Sequence, residues 1–269
     1  RPFVFVSDFD GVLDGGLPDV HMRYSEFLDL NLNRLLSCKD LYPVILTARG
    51  ATRTQTRFVN VLGLHLLCSF GSVHCVYAPG SNQWVTQRLD GRQGPADFSE
   101  IIPLVQEYAR KHPGRMAYEH MDEMVALIVN QQEDCEGHGQ ASDFMDGIAP
   151  RMKEACVVLR PDEGVAVAPS GLLGKGRGLD QLIAKMGWTR PVCIVLEDST
   201  TQLKDIKVGC PSAIRIVVSN AFEAPREADY SVRPGEVEVF IMNVADVFVN
   251  VQRSRGKRLI CKKKLTPKL

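Results

Sequence analysis

Apolar and polar positions follow one another along this chain in blocks that predict alternating strands and helices. Phe3-Val4-Phe5-Val6 is a short apolar run ending in acids and glycine, the pattern of a buried strand feeding a loop. Between Tyr24 and Cys38, Phe27, Leu28, Leu32, Leu35 and Leu36 recur at helical spacing. Tyr42 to Leu46 reads as a second buried strand, ending in Thr47-Ala48-Arg49-Gly50. A helix is expected over roughly Thr52 to Leu62, then a third strand region from Leu64 to Val76, broken at Gly71. Strand, helix, strand, helix, strand implies a parallel sheet with right-handed crossovers.

The pattern then changes. Residues 77–100 are polar, with Pro79, Gly80, Gly91 and Gly94 as turn signals. Phe98 to Lys111 reads as an amphipathic helix stopped by His112-Pro113-Gly114, and Met116 to Asn130 as two short strands around Asp122-Glu123. A helix from Ala141 to Glu154, interrupted at Gly147 and Pro150, leads to a hairpin of Val157–Leu159 and Val165–Val167 across Asp162-Glu163-Gly164. The parallel pattern returns with helices at Gly176–Met186, Thr201–Val208 and Glu236–Val249, and strands at Val192–Leu196 and Ile214–Val218. The expected organisation is a Rossmann-like α/β core of residues 1–76 and 170–252, with helices on both faces of its sheet. An α+β insert spans 77–169, and a basic tail spans 253–269.

Charge alters this picture at one end only. The net charge is zero, yet Arg253 to Leu269 holds eight Lys or Arg and no acid. Such a tail can dock on an acidic partner, which raises the prospect of a protein complex. It lacks the aromatic or Arg array of a nucleic-acid reader, so nucleic acid is not expected. The eight cysteines form no CxxC pair and several lie in apolar runs, which predicts free thiols in a reducing intracellular compartment. With Arg at position 1, the chain is expected to be processed or excerpted. The compartment is then the cytoplasm, or an organelle such as the mitochondrion if a transit peptide was removed before Arg1. No apolar run approaches the roughly 20 residues of a membrane span.

Four polar clusters fall at predicted strand ends or helix starts: Asp8/Asp10, Thr47/Arg49, Lys175 and Glu197/Asp198. Open parallel sheets hold their sites at the carboxyl ends of strands. Taken singly, each cluster has a plainer explanation. Asp8 to Gly11 can be a turn, Thr47 a helix cap, Lys175 a solvated turn lysine, and Glu197-Asp198 a favourable helix start. Taken in order, they supply what phosphoryl transfer requires. Asp8 can attack phosphorus. Asp10 can protonate the leaving oxygen and then activate water. Gly11 lets the backbone approach the phosphate. Thr47 can hydrogen-bond a phosphoryl oxygen, and Lys175 can neutralise its charge. Asp8 with Glu197 or Asp198 offers hard oxygen ligands for Mg²⁺.

The order Asp8-Phe9-Asp10-Gly11-Val12, Thr47-Ala48-Arg49, Lys175-Gly176, Glu197-Asp198 resembles the haloacid dehalogenase superfamily. Within it the chain is most similar to the trehalose-6-phosphate phosphatases. Pro169 to Gly176 has the Pro-to-Lys spacing of some members, and His112 to Glu119 resembles the segment leading to their Glu-x-Lys. The resemblance implies a large α/β cap of the C2 type, an Mg²⁺ cofactor, and a sugar phosphate or similar small phosphomonoester as substrate. It also implies an aspartyl-phosphate intermediate. The implied site comprises Asp8, Asp10, Thr47 and Lys175 for catalysis, Gly11, Arg49 and Glu119 for substrate, and Asp8, Asp10, Glu197 and Asp198 for metal. The chain departs from the family in several places. Met121 replaces the Lys of Glu-x-Lys, Ile128 and Asn130 replace a His-x-Arg pair, and Ser69-Phe70-Gly71 replaces Glu-His-Gly. Thr201 and Gln202 stand where acids are expected, and Glu197 where Asp is. These departures motivate an alternative expectation, a fold retained as a structural or accessory subunit of a larger assembly.

Overall fold

The computed structural model describes residues 1–13, 32–58, 61–78, 80–129, 135–160, 164–220 and 224–264, with side chains for all of these except 135 and 251–264. Two sheets organise it. The larger has the order β12-β11-β10-β1-β2-β3-β4-β5. Its strands are β1 (Phe3–Ser7), β2 (Leu41–Leu46), β3 (His65–Cys68), β4 (Val73–Ala78), β5 (Gln83–Arg88), β10 (Val192–Glu197), β11 (Ile214–Val218) and β12 (Tyr230–Val232). All pairings from β12 to β3 are parallel, and β4 and β5 add an antiparallel extension. The smaller sheet is antiparallel, in the order β6-β7-β9-β8: β6 (Met116–Met121), β7 (Met124–Val129), β8 (Cys156–Leu159) and β9 (Gly164–Pro169). A parallel α/β core with a separate α+β cap is thus the observed architecture.

Strand periodicity sorts the core into two layers. Phe5, Ile45, Leu66 and Ile216 point to one face, where they meet Leu32 and Leu35 of α1 (described over 32–36), Phe58, and Val237, Ile241 and Ala245 of α7 (Val237–Lys264). Val4, Val6, Val44, Leu67 and Val195 point to the other, against Leu179 and Leu182 of α5 (Lys175–Lys185) and Ile206 of α6 (Thr200–Gly209). Alternation of side chains along a strand requires this two-sided burial. In the cap, α3 (Ile102–Lys111) and α4 (Cys135–Ile148) cover one face of the smaller sheet through Val105, Ala141 and Met145.

Several boundaries differ from the sequence reading. The helix expected over Thr52–Leu62 is the shorter α2 (Ala51–Arg57). Most of the helix expected over Tyr24–Cys38 lies outside the described residues, as do Asn130 and residues 161–163 between β8 and β9. The expected insert boundary at residue 77 falls inside β4, and β5 pairs with the core sheet, so the cap sheet opens only at Met116. An edge strand reading Gln-Trp-Val-Thr-Gln-Arg is too polar to stand out as a strand. The edge strand β12, Tyr230–Val232, is only three residues long, too short to give a strand pattern. The last helix does not stop near Val249 but runs on to Lys264, through the basic segment. Arg, Lys and Leu are good helix formers, and no Pro interrupts them there.

The cap is pinned to the core by the turn between β6 and β7. The Asp122 carboxylate accepts from Thr52 N at 3.3 Å, at the start of α2, where the N-cap Gly50 has no side chain to do so. A Cβ at Gly50 would lie 2.4 Å from Asp122, so glycine permits this approach. Glu123, nearly fully buried, accepts from Arg88 at the end of β5 and from Arg92 at 2.8 Å. Arg92 also donates to both oxygens of Glu154, at 3.1 and 3.0 Å, and Arg88 pairs with Asp90. Burial alone would lower the pKa of Arg88, but the two carboxylates reverse this and hold it raised.

A second buried polar cluster lies beneath β3 and β4. The Lys185 ammonium is 3.2 Å from His74 Nδ1, and His74 Nε2 is 3.0 Å from His65 Nδ1. An ammonium can only donate, so His74 carries its proton on Nε2 and donates to His65. The His65 ring meets Trp188 edge to face. Burial first, and then Lys185, pushes His65 down to about 4; burial, His65 and Lys185 push His74 down to about 3. The unfolded chain therefore binds more protons than the folded one below pH about 6.5. Stability is fully present above that pH and is lost as pH falls toward 4 and 3, by up to about 1.4 kcal/mol per pH unit for each histidine. Glu197, with its pKa raised, bends the curve the opposite way, so the readout is a difference. Urea unfolding from pH 5 to 6.5 should give a shallower pH slope for His74→Gln than for the native protein. Equal slopes would contradict the buried neutral pair.

Candidate active site

The carboxyl ends of three neighbouring strands bring the candidate residues together. Ser7 of β1 is in register with Leu196 of β10 and Ile45 of β2, so Asp8 and Glu197 follow side by side and Thr47 comes one residue further along its strand. Asp8 N donates to Leu196 O at 2.9 Å and Thr47 N to Leu67 O at 3.0 Å, extending the ladder one residue into the site. All three side chains are buried. Lys175 is the first residue of α5 and is also fully buried.

Glycines let α5 come close enough to place this lysine. Gly174, with φ +81°, lies against the Asp205 carboxylate, which accepts from Gly176 N at 2.9 Å. A Cβ at Gly178 would sit 2.4 Å from Gly71 O in the β3–β4 turn. Sequence reading missed Asp205 as the anchor of the Lys175 helix, because its role depends on α6 packing against α5. The glycines at 171, 174 and 176 are the one signal in the sequence that could have pointed to such a close approach, and they do not name its partner.

The Lys175 ammonium lies 2.6 Å from Glu197 Oε2 and 3.0 Å from Asp8 Oδ2. Asp8 Oδ1 accepts from Phe9 N at 2.8 Å, and Glu197 Oε1 from Ser199 N at 3.3 Å. Asp8, Glu197 and Asp198 each bring one carboxylate oxygen into a group within 4.8 Å, with Asp198 at its exposed edge. Three acids therefore face one lysine. Burial, followed by the charge of Asp8, raises the pKa of Glu197 well above the carboxylate range despite the opposing pull of Lys175. Partial desolvation and Asp8 raise Asp198 as well. Burial would lower Lys175, but Asp8 and Glu197 outweigh it and keep the lysine charged. The set is acid-rich and all-oxygen, so it fits a hard divalent cation such as Mg²⁺.

Helix capping does not account for these residues. Ser199 is the N-cap of α6, its hydroxyl accepting from Gln202 N at 3.4 Å, which leaves Glu197 and Asp198 to the site. Thr47 Oγ1 accepts from Arg49 N at 3.1 Å and does not cap α2. Gly11, at φ +70°, has the Asp198 carboxylate where its Cβ would be, 1.9 Å away, so any side chain there would displace Asp198.

Two candidates stand apart from the carboxylate cluster. Asp10 is paired with Arg49, which donates Nε–H to Oδ2 at 2.8 Å and Nη2–H to Oδ1, while the guanidinium lies over the Phe9 ring. Asp10 is thus outside the group of carboxylates that converge as metal ligands. Glu119, on β6, pairs with Arg53 of α2 at 3.2 Å. The turn after β3 is strained: Ser69 and Phe70 have φ of +51° and +52°, and the buried Ser69 hydroxyl has no partner. Non-glycine residues held there gather at functional sites.

Solved structures share this fold over nearly the whole chain. The C-terminal domain of trehalose-6-phosphate phosphatase from C. albicans matches with a TM-score of 0.66 at 16% identity, covering 91% of this chain and 92% of that one. The chain has the haloacid dehalogenase fold. The C-terminal domain of the Candida albicans trehalose synthase regulatory protein matches with a TM-score of 0.59 at 15% identity, over 89% and 93% of the two chains. A haloacid dehalogenase-like hydrolase from Bacteroides thetaiotaomicron matches at 0.56 and 15%, over 93% and 100%. No protein-family model matches the chain, and neither does any curated protein. Among the described residues, no helix is long and apolar enough to cross a membrane.

Proposed function

We propose that this haloacid dehalogenase-fold protein is an Mg²⁺-dependent hydrolase of small phosphomonoesters, acting through an aspartyl-phosphate on Asp8. The observation that carries the reading is the convergence of Asp8, Glu197 and Asp198 beside the buried Lys175. Asp8, Glu197 and Asp198 would hold the ion, which supplies positive charge between the nucleophile and the phosphoryl oxygens. Asp8 Oδ attacks phosphorus as the bond to the leaving oxygen breaks. Lys175 and the Thr47 hydroxyl offset charge on the phosphoryl oxygens. Asp10 gives its proton to the leaving oxygen, then takes one from the water that cleaves the Asp8–phosphorus bond. For this, Asp10 must exchange its two hydrogen bonds with Arg49 for one to the substrate. Arg49 would then turn from Asp10 toward the phosphate. The sugar phosphate expected from the sequence is one member of the substrate class.

Purified protein should release inorganic phosphate from a panel of phosphomonoesters in the presence of Mg²⁺. Chelation should reduce the rate to background, and added Mg²⁺ should restore it. No release from any ester would overturn the reading.

The Arg49 grip on Asp10 favours a second reading, a retained fold serving as a structural or regulatory subunit. The same fold in a protein described as a trehalose synthase regulatory protein supports it. The helical basic segment would then dock on an acidic partner. Migration as a monomer in its native extract would sink this alternative.

A further inference from the structure

The two faces of the cap sheet differ in what they meet. One packs on α3 and α4. The other turns to the core and is apolar: Met124, Ala126, Ala166 and Ala168 are buried there, flanked by Met121 and Ile128. Two core residues complete the cluster, Phe70 and Leu172. Both are tied to the candidate site. Phe70 N donates to Thr47 O at 3.2 Å, and Leu172 lies three residues before Lys175 in the segment whose Leu173 N donates to Ser72 Oγ at 3.0 Å. Among the described strand residues on this face, the one charged group is Glu119, which is paired with Arg53. The roof next to the catalytic candidates is therefore hydrocarbon and thioether, made of small alanines and adaptable methionines.

We propose that the site selects phosphomonoesters with an apolar leaving group, aryl or alkyl, over those of polyols. This rests on the phosphatase reading above. The roof is closed on Phe70 and Leu172, and lifting the cap to admit substrate exposes it to water. An apolar leaving group covers that surface again. A polyol does not, and its hydroxyls lose water without gaining partners. A single methylene in such a pocket changes specificity about 10- to 200-fold, so a whole ring should decide the preference.

The test compares kcat/KM for 1-naphthyl phosphate and glucose 6-phosphate, using the full chain with Mg²⁺. The naphthyl ester should be preferred by at least about 100-fold. Met121→Lys, at the half-buried edge of the roof, should reduce that preference about tenfold or more. Equal use of the two esters, or preference for the sugar, overturns the inference and leaves the phosphatase reading standing. If neither ester is hydrolysed and the wider panel also gives no phosphate, the phosphatase reading falls. Equilibrium dialysis of the two esters against Asp8→Asn then decides the binding preference. Tighter binding of the naphthyl ester supports the apolar class; equal binding, or none, overturns it.

Discussion

Replacing Asp8 with Asn is expected to abolish phosphate release, by about 10⁴-fold or more, without lowering the melting temperature. The two effects have one cause. Asp8 is held in a buried cluster with Glu197 and Asp198, and its charge raises the pKa of both. Asn retains the shape and can still accept from Phe9 N, but it removes a carboxylate whose charge disfavours ionisation of its two acidic neighbours. The folded state then keeps the Lys175–Glu197 pair and loses repulsion. A nucleophile that costs stability is common where a site is built for chemistry rather than for packing. Thermal unfolding and a phosphate-release assay on the same preparation check both halves. A variant that loses more than about 1 kcal/mol of stability would show that Asp8 holds the fold together, a structural role.

Lys175→Met should act in the opposite sense. Methionine fills the volume of the lysine stem but leaves Asp8 and Glu197 without their cation. Removing one partner of a buried ion pair costs about 3–5 kcal/mol, because the remaining charge is uncompensated. Here one lysine serves two carboxylates, at 3.0 and 2.6 Å. Urea unfolding should show the loss, and phosphate release should fall with it. The double variant Lys175→Met/Glu197→Gln should recover part of the stability, since it removes the stranded charge. Little or no activity should return. A Lys175→Met protein as stable as the native one would mean that the triad is not charged in the folded state.

The core strands were legible from their apolar runs, because a strand buried on both faces has few alternatives. Val4-Phe5-Val6 and Val192 to Leu196 could be placed to within a residue. The cap hairpins were legible through Asp122-Glu123 and Gly164, which break the apolar runs of the strands. Edge strands were not, because β5 is polar and β12 only three residues long, and both pair through backbone that any sequence possesses. The extent of α7 was not legible either, since the apolar spacing that marks a core-facing helix gives way to a basic run after Val251. In the site, Asp8, Thr47, Lys175 and Glu197 could be selected as candidates from their order alone, each at a strand end or helix start. Arg49 as the partner of Asp10, Asp205 as the anchor of α5, and Phe70 against the cap could not. Their partners lie 39, 29 and many more residues away.

The sequence by itself determined the alternation of strands and helices, the two-layer core, and the acidic and basic groups set at strand ends. These follow from local rules, the periods of two and 3.6 and the turn chemistry between runs. Only the tertiary structure decided how those groups are shared. It assigned one lysine to two carboxylates, turned Asp10 to Arg49, set Asp198 over Gly11, and closed an apolar cap face on Phe70. Charge pairing and desolvation depend on distance in space and on what excludes water, and neither quantity is written in the spacing of residues along a chain.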